Sequence, residues 1–262
     1  IIVAARNNVP RSVWNYVTGA AETETTLRRN RNCLDALALR PRILRDVREI
    51  NPGTAFLGHK LRIPCLLAPI GSLQTLTPEG GIAVAKAAAE FGIINLVSTV
   101  TEPSLEEIAA STNHPKIFQI YIRGDERWVD DLIDRAVNAG FSALCLTVDS
   151  AYYGRRERQL ITGWRPPSIK RYSEELRIHQ AGLTWDWMDR MKERGGLPFI
   201  LKGVQTAEDA EIALEHGVDV IYVSNHGGRQ MDHGDGTISI LKEVATVVGD
   251  QAEIVVDGGF VR

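Results

Sequence analysis

The protein has 262 residues, of which 44% are hydrophobic, and its 30 Lys and Arg residues against 33 Asp and Glu residues give a net charge of −3. This length suits one large domain or two small ones of an ordinary globular protein. The near-neutral balance, without a basic stretch, argues against a nucleic-acid partner, and no apolar run approaches the roughly 18 residues of a membrane helix.

Along the chain, two predicted helices, Arg11–Tyr16 and Glu22–Leu34, come first. Apolar runs then alternate with amphipathic stretches of helical period, which predicts parallel strands joined by crossover helices and covered on both faces. The predicted strands are Cys65–Pro69, Ile94–Ser98, Ile117–Ile122, Ala143–Val148, Pro198–Lys202, Val218–Ser224 and Glu253–Asp257. The predicted crossover helices are Gly81–Phe91, Leu105–Ala110, Trp128–Ala139, Ala207–Glu215 and Ile238–Val248.

Seven parallel strands are one short of a closed (β/α)₈ barrel. Because an open edge leaves backbone groups unpaired, we predict an α/β fold of the TIM-barrel type, preceded by a short N-terminal helical segment. The barrel forms a single domain over residues 1–262, and its eighth βα unit is expected after Arg262. An open seven-stranded sheet is the alternative. The polar segment Thr162–Gly182, with its Pro166-Pro167 pair, is predicted to cross the mouth of the barrel.

Polar residues stand at the carboxyl end of every predicted strand, which is where barrel enzymes place their chemistry. Any one of them could be an ordinary barrel, capping or solvent-facing residue. Burying all of them at one end without partners would be costly, so the joint pattern favours a polar ligand. The residues are the turn Pro69–Ser72, then Ser98, Gln119, Tyr121, Thr147, Asp149, Lys202, Ser224–Gln230 and Asp257.

The sharpest of these motifs is Ser224–Gln230, with the sequence SNHGGRQ. His226 offers a base near neutral pH, and the two glycines that follow it let the backbone approach a ligand closely. Arg229 offers a planar fork for a carboxylate. The alternative is a tight turn with an exposed His and Arg.

These residues resemble those of the FMN-dependent α-hydroxy-acid oxidases and dehydrogenases, which include glycolate oxidase, lactate oxidase, lactate monooxygenase and mandelate dehydrogenase. The resemblance runs from about Val13 to Gly259. The motifs that carry it are Tyr16–Asn30, Arg40–Arg42, Ala68-Pro69, Pro78–Gly80, Gln119–Tyr121, Thr147–Asp149, Gly154–Glu157, Leu201–Gly203, Ser224–Gln230 and Asp257–Gly259.

The resemblance implies an FMN site and a substrate site for a small (S)-2-hydroxy acid, which the enzyme would oxidise to the 2-oxo acid. The residues implied to hold FMN are Pro69, Ile70, Gly71, Ser98, Gln119, Thr147, Lys202, Ser224 and Asp257. Lys202 would stabilise the negative charge of reduced flavin. No metal is implied, and the family resemblance implies a homo-oligomer, often a tetramer.

On the substrate side, the resemblance implies that Arg229 and Arg156 bind the carboxylate, with a hydroxyl from Tyr16. His226 would take a proton from the substrate while Asp149 holds its other ring nitrogen. The implied catalytic residues are Tyr121, Asp149, His226 and Arg229, and the implied substrate-binding residues are Tyr16, Tyr121, Arg156 and Arg229.

The sequence departs from the family at several positions. Val100 stands where glycolate oxidase has Trp, and Val261 stands where many members have an Arg, although Arg262 could substitute. Thr162–Gly182 is shorter than in glycolate oxidase, and the eighth-strand Gly-Arg phosphate clamp is not in this sequence. At Gly71 the sequence resembles lactate monooxygenase and mandelate dehydrogenase, whereas fast oxidases of the family tend to carry Ala. We therefore expect slow reaction with oxygen, and a dehydrogenase or monooxygenase rather than a fast oxidase, unless Gly71 serves only a tight turn.

Three other functions stay open at this point: a Schiff-base aldolase barrel using Lys202, a flavin barrel of different chemistry, and a non-catalytic fragment. The three scattered cysteines, Cys33, Cys65 and Cys145, suit a reducing compartment, so we expect the cytoplasm. Because the chain begins with Ile1 rather than Met, we expect its true N-terminus to lie earlier, and peroxisomal targeting stays open.

Overall fold

The computed structural model describes residues 2–167 and 178–261, and its centre is a parallel sheet of six strands in sequential order. The strands of this sheet are β3 (Asn95–Ser98), β4 (Lys116–Ile120), β5 (Ala143–Thr147), β6 (Phe199–Val204), β7 (Val220–Val223) and β8 (Glu253–Val256). A separate antiparallel hairpin pairs β1 (Thr54–Phe56) with β2 (His59–Leu61). The predicted parallel α/β architecture is confirmed, and the sheet curls into a half-barrel.

Helices precede the sheet and connect its strands. Those before the sheet are α1 (Ile2–Asn8), α2 (Arg11–Thr18), α3 (Thr25–Asp35) and α4 (Gly81–Phe91). Those between its strands are α5 (Leu105–Ala110), α6 (Glu126–Asn138), α7 (Glu157–Thr162), α8 (Ile178–Ala181), α9 (Trp185–Gly195), α10 (Ala207–Glu215) and α11 (Thr237–Val248). None of the described helices is long and apolar enough to cross a membrane.

Alternation along the strands divides the core into two layers. Phe118 and Ile120 of β4 belong to the layer that packs against the crossover helices, whereas Ile117 belongs to a second layer. That second layer includes Phe56 and Leu61 of the hairpin. Because it also contains the first residues of several strands, the hairpin covers the amino ends of the sheet. The polar residues that the sequence singled out lie at the opposite, carboxyl ends of the strands.

The predicted strand Cys65–Pro69 is corrected to a single bridge. Leu67 lies opposite Asn95 of β3: its N–H donates to the carbonyl of Ile94 at 3.0 Å, and its carbonyl accepts from Leu96 N–H at 2.9 Å. The neighbours of Leu67 are irregular. Pro64 and Pro69, at either side, have no N–H to donate to a ladder. The segment nevertheless lies beside β3, where a first barrel strand would lie. Closure into eight strands stays a prediction.

Sequence reasoning missed the hairpin and helices α1, α7, α8 and α9. Helix α9 had a readable signal, because Thr184 caps its start and the buried Met188 and Met191 are three residues apart. The predicted mouth-crossing segment Thr162–Gly182 falls partly outside the described residues, namely at 168–177. Its described part contains the end of α7 and the whole of α8, so it is not wholly irregular.

Candidate active site

The carboxyl ends of β3 to β8 bring together the polar side chains that the sequence singled out. We call eight of them the strand-end group: Gln119, Tyr121, Thr147, Asp149, Lys202, Ser224, His226 and Asp257. Gln119, Thr147 and Ser224 are fully buried, and Ser98 and Lys202 nearly so. Pro69, Ile70 and Gly71 follow the Leu67 bridge beside β3, so the predicted FMN-binding segments border one region.

Lys202 lies in a tight cluster with two residues from neighbouring strand ends. Its Nζ donates to Ser224 Oγ at 2.7 Å and lies 3.3 Å from Asp257 Oδ2, while Ser224 Oγ donates to Asp257 Oδ1 at 2.6 Å. Burial alone would lower the pKa of Lys202, but the charges of Asp257 and Asp149 outweigh it and raise that pKa above its ordinary value. Lys202 is therefore a fixed, buried positive charge.

Gln119 presents a buried amide at the end of β4. Its Nε2 donates to Thr147 Oγ1 at 2.8 Å, whereas its Oε1 is buried and finds no hydrogen-bond partner within the described part of the chain. An unpaired buried carbonyl is costly, so this atom is suited to a ligand that carries a polar N–H.

A hydrogen-bonded chain of three side chains runs across the site. His226 Nδ1 lies 2.7 Å from Asp149 Oδ1, and His226 Nε2 lies 3.2 Å from the Tyr121 hydroxyl. An ionised Asp149 can only accept, so Nδ1 carries the ring proton and Nε2 presents a lone pair. Tyr121 then donates its hydroxyl proton to Nε2. The predicted catalytic residues Tyr121, Asp149 and His226 are thus brought together.

The ionisation states of this chain follow from burial and charge. Burial is the largest effect on His226 and lowers its pKa. The charge and hydrogen bond of Asp149 would raise this pKa but are outweighed, and the positive charges of Lys202 and Arg156 lower it further. Burial would raise the pKa of Asp149, but the charges of His226 and Lys202 hold it below its usual value. Burial raises the pKa of Tyr121. At neutral pH His226 is therefore a neutral base beside an ionised carboxylate and a protonated phenol.

The turn that carries His226 has an unusual backbone. His226, Gly227 and Gly228 all have positive φ, at 57°, 66° and 73°, a conformation that L side chains adopt at a cost. A Cβ at Gly228 would also lie 2.6 Å from the backbone N of Leu27 in α3, so only glycine fits there. Asn225 and Asn30 of α3 exchange two side-chain hydrogen bonds of 2.8 and 2.9 Å, which fasten the turn to that helix.

A second set, the arginine group, consists of Tyr16, Tyr153, Arg156, Trp164 and Arg229. Arg229 Nη1 donates to the carbonyls of Val17 and Gly19, and its Nη2 donates to the carbonyl of Tyr16 at 2.9 Å. Its guanidinium therefore caps the C-terminal end of α2, where helix carbonyls lack partners. Burial, and then the charge of Arg156, lower the pKa of Arg229 to about 10, so it stays charged at neutral pH.

Arg156 completes this group, together with two aromatic residues that sequence reasoning missed. Its Nε donates to the Arg229 carbonyl at 3.1 Å, and its Nη1 donates to the Tyr153 hydroxyl at 2.9 Å. Its guanidinium also lies 4.3 Å from the centre of the Tyr153 ring, and Trp164 packs on Tyr16 with ring centres 4.8 Å apart. Tyr153 stood directly before the Gly154-Arg155-Arg156 motif and could have been noticed; Trp164 had no comparable signal.

Gly71 has a steric role beside Val100. Its φ is not in the left-handed region, so a tight turn does not require glycine there. A Cβ at Gly71 would instead lie 2.7 Å from Val100 Cγ2, which is too close. Gly71 and Val100, two of the positions that the sequence singled out, therefore lie side by side. Farther along, Val261 is exposed and Arg262 lies outside the described residues.

Comparison with known proteins shows the family of this chain. A family model described as FMN-dependent dehydrogenase matches residues 5–262. The chain belongs to this family. It is 36% identical to the peroxisomal (S)-2-hydroxyacid oxidase GLO3 of Arabidopsis thaliana, over 98% of this chain and 76% of that protein. It is also 36% identical to glycolate oxidase of Spinacia oleracea, over 98% of this chain and 75% of that protein. A solved structure of mandelate oxidase with (S)-4-hydroxymandelic acid is 33% identical and superposes with a TM-score of 0.91, covering 98% of this chain and 78% of that one.

Membership of the FMN-dependent dehydrogenase family confirms the predicted FMN-dependent oxidoreductase. The residues present fit the cofactor. Gln119 Oε1, which has no hydrogen-bond partner among the described residues, would accept from an N–H of the flavin ring, and Lys202 would supply a buried cation for the electron-rich edge of that ring. Asp257 lies at the end of β8, where it can accept from hydroxyl groups of a ribityl chain.

Proposed function

We propose that His226 is the base in the oxidation of a small (S)-2-hydroxy acid to the 2-oxo acid. The observation that carries this proposal is the Tyr121–His226–Asp149 chain, in which Nε2 is the proton acceptor and Nδ1 is held at 2.7 Å from a carboxylate. Asp149 sets the tautomer and stabilises the imidazolium that forms when Nε2 takes the proton. The related proteins named above act on, or bind, 2-hydroxy acids, which supports the same substrate class here.

FMN supplies the electron chemistry, because when bound it accepts the two electrons that the hydroxy acid loses. Lys202 holds a positive charge in place for the negative charge that this transfer builds up. Tyr121 keeps its phenolic proton and can donate it to the substrate oxygen. Gln119, Thr147, Ser98, Ser224, Asp257 and the Pro69–Gly71 turn bind the cofactor in this proposal.

The substrate carboxylate binds between Arg156 and Arg229, with the Tyr16 hydroxyl as a further donor. Both guanidinium groups are now bonded to neutral partners, namely backbone carbonyls and the Tyr153 hydroxyl. A carboxylate forms stronger, charge-assisted hydrogen bonds than these neutral acceptors, so it can displace some of them. Arg229 would in that case serve both α2 and the substrate.

The Schiff-base alternative does not fit the state of Lys202. Such chemistry needs a neutral amine, whereas Lys202 is held protonated by Asp257 and Asp149. The experiment that decides between the two is the anaerobic addition of (S)-2-hydroxy acids to FMN-reconstituted protein, with (R) enantiomers as controls. We expect the (S) acids alone to bleach the flavin and to yield the 2-oxo acid. A protein that binds no FMN, or trapping of a carbonyl substrate on Lys202 by borohydride, would refute the proposal.

Three further expectations belong to the same proposal. Residues 1–262 belong to a single FMN-binding domain of the (β/α)₈-barrel type. The protein is a homo-oligomer, by family resemblance a tetramer, which light scattering would check. It works in the cytoplasm, although the comparison with peroxisomal relatives makes the peroxisome the competing compartment, and localisation of the tagged full-length protein would distinguish the two.

A further inference from the structure

Gln180 of α8 is a buried amide that none of the roles above uses. Gln180 is only 2% exposed to solvent. Oε1 accepts from the backbone N–H of Ile122 at 2.7 Å, and Nε2 donates to the backbone carbonyl of Thr147 at 2.8 Å. One side chain therefore links the continuation of β4 to the end of β5.

This bridge lies where the backbone ladder between the two strands stops. The last pair in the register of β4 and β5 is Ile120 with Leu146. Beyond this pair, the side-chain amide of Gln180 lies between the N–H of Ile122 and the carbonyl of Thr147 and connects them in place of a direct backbone hydrogen bond. Both of these residues are fully buried or nearly so, and their backbone groups would otherwise lose their hydrogen bonds away from water.

The two bridged positions adjoin the outer members of the hydrogen-bonded chain at His226. Tyr121 directly precedes Ile122, and Asp149 is two residues after Thr147, so each is carried by backbone that Gln180 holds. The distances from His226 to Tyr121 and to Asp149, 3.2 and 2.7 Å, thus depend on the spacing between the ends of β4 and β5. Misplacing a reacting group by about 1 Å can cost about 100-fold in rate.

We propose that Gln180 is a positioning residue for the oxidation, which keeps Tyr121 and Asp149 in register with His226. This inference rests on the proposed function for its catalytic readout. It does not make Gln180 catalytic, because both of its polar atoms are bonded to backbone and reach no reacting group.

The first test compares Gln180→Ala with Asn95→Ala in FMN-reconstituted protein. Asn95 is also a buried amide, 2% exposed, but it begins β3 at the opposite end of the sheet. We expect flavin reduction at saturating substrate to slow by about 10- to 100-fold in Gln180→Ala and by less than about 3-fold in Asn95→Ala. Equal rates in both variants at equal loss of thermal stability would overturn the proposal.

Gln180→Glu provides a conservative variant. A protonated carboxyl accepts from Ile122 and donates to Thr147 as the amide does, whereas a carboxylate faces the Thr147 carbonyl with no proton to donate. We therefore expect the reduction rate of this variant, divided by that of the wild type, to fall as the pH rises. A ratio that stays constant with pH would show that Gln180 acts only through stability.

A third readout needs no turnover. We expect the pKa of His226, followed by NMR of labelled histidine, to move up towards its ordinary value in Gln180→Ala, because water reaches the loosened ring. The His226→Gln variant would assign the signal. If the wild type oxidises no 2-hydroxy acid, the proposed function fails while this titration still tests the bridge. An unchanged His226 titration in Gln180→Ala would contradict the positioning role.

Discussion

The strand-end group and the arginine group are built differently. In the strand-end group, side chains bond to side chains. The Lys202–Ser224–Asp257 cluster joins the ends of three neighbouring strands, and the Tyr121–His226–Asp149 chain joins the end of β7 to the ends of β4 and β5. In the arginine group, the guanidiniums bond to backbone carbonyls, a phenol and ring faces contributed by α2 and loops. The first group is a preformed framework, in which Lys202 is paired with Asp257 and Asp149 is bonded to the neutral His226. In the arginine group, Arg156 and Arg229 are hydrogen-bonded, within the described residues, only to neutral partners, so a bound anion would form stronger hydrogen bonds with them.

The largest effect is expected from breaking the strand-end group at His226. His226→Gln keeps an amide that can bond to Asp149 but removes the proton acceptor at Nε2. We expect FMN to stay bound and its reduction by substrate to slow by on the order of 100- to 10,000-fold, as typical for loss of a general base. Stopped-flow reduction at nearly wild-type speed would remove His226 from the mechanism.

The same group predicts a pH dependence. His226 acts as the neutral base, and burial lowers its pKa, so the reduction rate should be on a plateau at neutral pH. As the pH falls through the lowered pKa, the ring gains a proton and the rate should drop by about tenfold per unit. The midpoint is expected below the ordinary His value of about 6.5. A rate that rises as the solution becomes more acid would contradict this assignment.

In the arginine group, Arg229→Lys should weaken substrate binding. Lysine keeps the charge but loses the planar fork, both for a carboxylate and for the carbonyls of α2. One charge-assisted hydrogen bond is worth about 1.5–3 kcal/mol, so a carboxylate inhibitor should bind about 10- to 100-fold more weakly. Arg135→Lys, whose partner Glu106 is on the surface, is the matched control. Equal inhibitor affinity in Arg229→Lys and wild type would refute the role.

The contrast between the two groups also explains what the sequence could predict. Strand-end residues follow apolar runs, so Gln119, Lys202 and His226 could be placed at one end of a parallel sheet from pattern alone. The bonds of the arginine group depend on how α2 and the 153–164 segment pack, which no periodicity encodes. Tyr153 and Trp164 were missed for that reason. Gln180 was missed because a single amide in a polar segment has no signal until its two backbone partners are seen.

Replacing Asp232 measures how much its contacts stabilise α3, the helix that packs against the turn carrying His226. It caps α3 from a distant loop, accepting from Thr26 N–H at 2.8 Å and from the Thr23 hydroxyl at 2.7 Å. Burial would raise the pKa of Asp232, but these hydrogen bonds outweigh it and lower the pKa. We expect Asp232→Ala to lower the free energy of unfolding by about 1 kcal/mol, a typical value for a lost helix cap.

The sign of the pH dependence follows from that lowered pKa. The stabilisation by Asp232 is present above its unfolded pKa of about 3.9 and is lost as the pH falls through its folded value. The stability difference between wild type and Asp232→Ala, measured by urea unfolding, should therefore shrink under acid conditions. A difference that is constant from neutral to acid pH would argue against the cap.

The smallest effect is expected at Gly71, beside the flavin-binding turn. We predict slow reaction of the reduced wild-type enzyme with oxygen and faster reaction in Gly71→Ala. Because a Cβ there meets Val100 at 2.7 Å, the single variant should also lose stability, and Gly71→Ala with Val100→Ala should recover it. Fast reoxidation of the wild type, or the same oxygen reactivity in Gly71→Ala, would remove Gly71 from that role.

The most direct test of the account is a crystal structure of the protein with FMN and a 2-oxo acid bound. The account predicts the flavin ring against the strand-end group, with an N–H donated to Gln119 Oε1 and Lys202 at its electron-rich edge. It predicts the carboxylate between Arg156 and Arg229 and the keto carbon next to His226 Nε2. A flavin elsewhere on the molecule, or a carboxylate remote from both arginines, would contradict it.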